Sequence, residues 1–60
     1  MELIKYVGKF VKVDLFNGFY YVGEVLSADD NSICLKDKNG KNVDIKEVAI
    51  SFIRGVENGL

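Results

Sequence analysis

The sequence contains no proline, no histidine and only one cysteine, Cys34. Each absence closes off a class of structure or chemistry. A lone cysteine forms no intramolecular disulfide. Without histidine it also falls short of the four nitrogen or sulfur ligands of a structural zinc site. Cys34 has no histidine to activate it as a nucleophile, so it reads as a small strand residue. No glycine-rich phosphate loop is present, and no carboxylate pair falls where a cleft is expected. No enzymatic activity, metal or cofactor is expected. Asp29 and Asp30 read as turn-capping residues, because a hard cation wants more oxygen ligands at defined spacing. No apolar run approaches the roughly 18 residues of a membrane span. The opening MELIKYVGKF lacks a signal peptide's apolar stretch and cleavage site. A cytoplasmic location is therefore expected.

What remains is a short chain rich in alternating apolar residues. Sixty residues, 48% of them hydrophobic, make one domain spanning 1–60. A chain of this size buries only about 60% of its unfolded surface, so it is marginal alone. Small domains add disulfides, a metal or oligomerisation. With the first two removed, oligomerisation is left. The net charge of −1 gives no general attraction for phosphate, so nucleic-acid binding would need a local patch.

Period-two alternation dominates the chain. In KFVKVDLF, 9–16, Val11, Val13 and Leu15 share one face, and Lys12 and Asp14 the other. Asn17-Gly18 follows, the strongest short signal for a hairpin. FYYVGEVLSA, 19–28, is a second strand with Tyr21, Gly23 and Val25 on one face. Tyr20, Val22 and Leu26 flank Glu24 on the other. DDNS, 29–32, is a turn by composition. SICLK, 32–36, is a third strand with Ile33 and Leu35 inward, and DKNGK, 37–41, is a second Asn-Gly hairpin. NVDI, 42–45, is a fourth strand. KEV, 46–48, is a polar connection with room for one 3₁₀ turn. AISFIRG, 49–55, is a fifth strand, in which alternation puts Ile50 and Phe52 inward and Ser51 and Ile53 outward. Leu3, Ile4 and Val7 suit a short N-terminal helical turn. Glycine within a strand marks a sharp bend, as at Gly23. The expected fold is all-β: a small, strongly bent five-stranded antiparallel barrel.

Gly8-Lys9, Val11, Val13, Leu15, Asn17-Gly18, Tyr21, Gly23, Val25, Asp29, Ile33 and Leu35 follow the order of the first signature of the Sm and Sm-like family, including its Hfq-like bacterial branch. Residues 7–36 resemble that signature. Ile53-Arg54-Gly55 has the residues of the second signature but falls at the end of the fifth strand. The resemblance implies an Sm-like (SH3-like) barrel in a homo-oligomeric ring of six or seven subunits that binds single-stranded, U- or A-rich RNA. It places Asn31, Ser32 and Lys46 at a base site, and Lys5, Lys9 and Lys12 at phosphates. The sequence departs from the family's pocket: the loop before the third strand has no aromatic, Cys34 stands at the asparagine position, and Glu47 replaces a histidine.

The outward apolar residues carry a second expectation. Tyr20, Val22 and Ile53 lie outward by alternation and, together with Phe52 of the same strand, are candidates for an oligomer interface, since a large apolar outer face marks an interaction site. The alternative function is an SH3-like protein-interaction or assembly module that binds no nucleic acid. The acidic balance and the missing loop aromatic point that way.

Overall fold

The computed structural model describes residues 2–56. Five strands alternate with tight turns: β1 (Phe10–Leu15), β2 (Tyr20–Ala28), β3 (Ser32–Asp37), β4 (Asn42–Lys46) and β5 (Ile50–Gly55). All pairings are antiparallel, in the order β4-β3-β2-β1-β5. Single 3₁₀ turns, Ile4–Tyr6 and Glu47–Ala49, precede β1 and β5. The strand boundaries fall within a residue or so of those expected from alternation.

The sheet is not closed into a barrel. β4 and β5 form its two margins and do not pair with each other. The sheet is nevertheless curled, for a reason of chain length. A flat five-stranded sheet is roughly 19 Å wide at its strand spacing. Only the 3₁₀ turn at Glu47–Ala49 joins the two margins, and a chain that short spans at most about 14 Å. The margins must approach, but among the described residues each keeps an unpaired side.

Both hairpins differ in detail from tight two-residue turns. Only the glycines take positive φ, +91° at Gly18 and +82° at Gly40, and no other residue type does so. Gly18 N donates to Leu15 O at 3.1 Å, and Leu15 N to Phe19 O at 2.8 Å. The loop is thus a three-residue turn closed by one left-handed glycine, a standard hairpin alternative. Asp37 to Lys41 repeats the pattern.

Bending is concentrated at three places. At Gly23 the backbones of β2 and β3 approach so closely that a Cβ there would collide with the Lys36 carbonyl. The other two are register shifts, between Val25 and Ser27 in β2 and opposite Asp14 and Leu15 in β5. An extra residue in one strand is a β-bulge, and it resets which face the following residues occupy.

The bulge in β5 corrects the sequence expectation for that strand. Asp14 pairs with Phe52 and Leu15 with Ile50, so Ser51 is the extra residue. Ile50 and Ile53 both turn inward, with Ile53 only 7% exposed. Phe52, expected inside, is 55% exposed. Strict alternation fails because one residue has been inserted into the count.

The core consists of Leu3, Val11, Val13, Val25, Ile33, Leu35, Ile45, Ile50 and Ile53, with Tyr6, Leu15, Tyr21, Ala28 and Val43 packed against it. No buried residue among those described is polar or charged. At the N-terminus Leu3 is buried and Tyr6 packs against the core, while Ile4 and Val7 remain exposed.

Candidate interaction surface

The residues expected at a base site do come together. Ser32 pairs with Lys46 across β3 and β4, and Glu47 N donates to Asn31 O at 2.8 Å. Their organising centre is Asp29. Its Oδ1 accepts from Asn31 N at 2.8 Å, Ser32 N at 2.9 Å and Ser32 Oγ at 3.3 Å. Those backbone bonds, to Asn31 and then Ser32, hold the Asp29 carboxyl below its ordinary range, with a smaller contribution from the Lys46 charge. A carboxylate at the centre of the cluster opposes an incoming phosphate. The cluster is a capped turn.

The expected phosphate-contacting lysines lie on three different segments. Lys5 is in the 3₁₀ turn, 5.4 Å from the Tyr6 ring. Lys9 lies in the turn before β1. Lys12 lies on the outer side of β1, 3.8 Å from Asp14 and 4.6 Å from the Tyr20 ring centre. Its ammonium is already engaged by an anion and an aromatic face.

Cys34 lies opposite Asp44 in β4 and Ser27 in β2. Partial burial, and then the Asp44 carboxylate, push its thiol upward, so it stays protonated at neutral pH. No group of three or more metal-ligating side chains occurs among the described residues.

The most prominent surface feature is apolar. Phe16 and Phe19 flank the Asn17-Gly18 turn at 74% and 67% exposure, and Tyr20 and Phe52 lie on either side of Asp14. Val48 is also exposed, and the neighbouring Ala49 O accepts from Phe16 N at 3.1 Å. The four rings alone present roughly 500 Å² of aromatic surface. That is comparable with the largest apolar patch on a typical monomer, about 300–600 Å², which is often functional. Of the expected interface residues, Tyr20, Val22 and Phe52 are on the surface and Ile53 is in the core. Phe16, Phe19 and Val48 did not emerge from the alternation. Their signal was position: aromatics at a hairpin tip lie beyond the reach of a small core.

The family described as Bacterial Ig-like domain (group 3) matches residues 18–58. By this match the chain belongs to that family. The matched span runs from the first hairpin through β5. Bacterial Ig-like domains of this group are generally non-enzymatic structural or interaction modules. The membership overturns the Sm-like assignment and, with it, the RNA-binding reading. The residues that carried the resemblance are those any curled antiparallel sheet needs: alternating valines, a hairpin glycine and a glycine at the bend. An immunoglobulin sandwich stacks two sheets in about 100 residues, whereas the described part of this Ig-like chain is a single curled sheet. A comparison with curated proteins finds no match.

Proposed function

We propose that the chain is a protein-interaction or assembly module that binds no nucleic acid. The observation that carries this reading is the exposed aromatic end formed by Phe16, Phe19, Tyr20 and Phe52. Burial of apolar surface at about 25 cal/mol per Å² would add to a core of nine residues.

The first partner in this proposal is a second copy of the chain. Among the described residues neither outer margin has a further strand, and an unpaired margin is a template for another strand. β4 carries both Asp44 and Lys46 and β5 carries Arg54, so a contact between the two margins can set Asp44 against Arg54. Joining β4 of one copy to β5 of the next is a head-to-tail contact, which closes into a ring when the rotation allows.

Native mass spectrometry of the purified protein from dilute ammonium acetate tests the proposal. A closed oligomer that dissociates on Phe52→Ser substitution supports it. A monomer that captures no other protein, or an oligomer carrying extra mass in nucleotide units, overturns it.

A further inference from the structure

The two hairpins share a backbone and differ in their side-chain caps. Leu15 to Phe19 and Asp37 to Lys41 align residue by residue, each with Asn-Gly at its tip. Leu15 N donates to Phe19 O at 2.8 Å, and Asp37 N to Lys41 O at 2.9 Å. Gly18 N donates to Leu15 O at 3.1 Å, and Gly40 N to Asp37 O at 3.0 Å. Both glycines are left-handed, and both asparagines are exposed.

The difference lies in the N–H that follows each glycine. In the first hairpin Phe19 N donates to Asn17 Oδ1 at 3.0 Å, an Asx turn. In the second the equivalent donor, Lys41 N, goes to Asp37 Oδ1 at 2.9 Å. The same oxygen accepts from Asn39 N at 2.9 Å. Leu15, at the equivalent position, offers no such oxygen. Asp37 therefore caps its hairpin in the way Asn17 caps its own. The Asn39 side chain is left without a hydrogen-bond partner among the described residues.

That freedom has a chemical consequence. Asparagine before glycine cyclises, because glycine has no side chain to shield its nitrogen. The glycine nitrogen bonds to the asparagine Cγ and loses its proton to water, and the side-chain nitrogen leaves as ammonia. Water then opens the succinimide at either carbonyl, giving aspartate or isoaspartate. No other co-reactant is needed. Gly18 N and Gly40 N must each first leave a main-chain carbonyl, a cost common to both sites. Asn17 must in addition release Phe19 N before its amide carbon can swing onto the nitrogen. Asn39 has nothing to release.

We propose that Asn39 is a modification site of the folded protein, converted to aspartate and isoaspartate, and that Asn17 is protected by its own cap. Isoaspartate carries the main chain through its side-chain carbon, so it lengthens the turn that sets the β3–β4 register. It also places a new carboxylate beside Asp37. Both changes fall on the hairpin leading into β4, a margin of the assembly proposed above, but the site does not depend on that assembly.

The test ages the folded protein at pH 8, then cleaves it after glutamate at acidic pH and reads the peptides by mass spectrometry. Cleavage at Glu24, Glu47 and Glu57 puts Asn17, Asn39 and Asn58 in separate peptides. Fragmentation then separates Asn39 from Asn31 and Asn42. Asn58-Gly59 lies outside the described residues, so the comparison is between Asn17 and Asn39. One extra hydrogen bond to break slows a reaction by about two- to twelvefold, and Asn39 should convert faster than Asn17 by that factor. In urea, where both caps are lost, the two rates should draw level. Asp37→Leu copies the first hairpin, so Lys41 N should turn to Asn39 Oδ1 and slow Asn39 to the Asn17 rate. No conversion at Asn39, equal rates in the folded protein, or the same ratio in urea as in the folded state would overturn the proposal. So would an Asp37→Leu protein in which Asn39 keeps its speed. If that variant unfolds, the folded-against-urea ratio still decides. These readings are separate from the native mass spectrum, so either proposal can fail alone.

Discussion

Replacing Gly23 by alanine tests the bend on which the curled sheet depends. The added Cβ would collide with the Lys36 carbonyl oxygen, with the carbonyl carbon 2.8 Å away and the Asp37 Cα 3.1 Å away. These are backbone atoms held by the β2–β3 ladder, so no side chain can rotate out of the way. Relief requires the two strands to separate where their pairing begins. Overpacking commonly costs about 1–3 kcal/mol, and a backbone collision belongs at the upper end. A domain of this length has on the order of 3–9 kcal/mol of stability in all. A loss of about 3 kcal/mol would lower Tm by on the order of 12–24 °C. Gly55→Ala is the matched control, since its Cβ would meet only the Phe10 oxygen at 3.9 Å. That substitution should be neutral, or stabilising by about 0.4–1 kcal/mol through a less flexible unfolded chain. Urea unfolding followed by circular dichroism measures both. If Gly23→Ala stays within about 0.5 kcal/mol of the parent, or Gly55→Ala is equally damaging, the bend argument fails.

Three further outcomes are expected. Ile53→Ala should destabilise by about 2–5 kcal/mol and Phe52→Ala by far less, as read by urea midpoints; the reverse order would remove the Ser51 bulge. Asp29 has a folded-state pKa below its unfolded value. Its contribution to stability is therefore complete above the ordinary value of 3.8 and is lost as pH falls through the lower folded value. Asp29→Asn should flatten the acid limb of a Tm-against-pH curve, and an unchanged limb would count against the cap. Cys34 should react slowly with iodoacetamide at pH 8 and faster in Asp44→Asn, because part of what raises its pKa is removed. Equal rates would mean that burial alone controls the thiol.

The regular parts of the fold were legible because they follow local rules. Val11 and Val13, or Ile33 and Leu35, announce a strand face by alternation, and both are fully buried. The two Asn-Gly pairs located the hairpins, although the left-handed residue is the glycine alone. The irregularities were not legible. A bulge adds one residue without any compositional mark, and Ser51 reversed the faces of Phe52 and Ile53. Closure of the sheet could not be read either, because margin-to-margin pairing leaves no trace in period-two patterning. Of the candidate residues, Tyr20 and Val22 lie on the surface as the alternation of β2 places them, whereas Phe52 is exposed only because of the Ser51 bulge. The cluster of Asn31, Ser32 and Lys46 was found as a neighbourhood, but its centre is a carboxylate that organises the turn.

The pairing of β5 with β1 also bears on the order in which the structure can be built. β1 to β4 join consecutive neighbours through short turns, so each contact can form soon after its residues leave the ribosome. The remaining strand reaches back across the whole chain: Val13 meets Ile53, with 39 residues between them. Contacts of such long sequence separation form slowly, because the entropy of closing the loop is lost before the contact is made. Until β5 docks, the open side of β1 and the inward faces of Val11 and Val13 stay accessible to other nascent chains. The step most exposed to misassembly is therefore the last one, and slowing translation just before Ile50 should lengthen it.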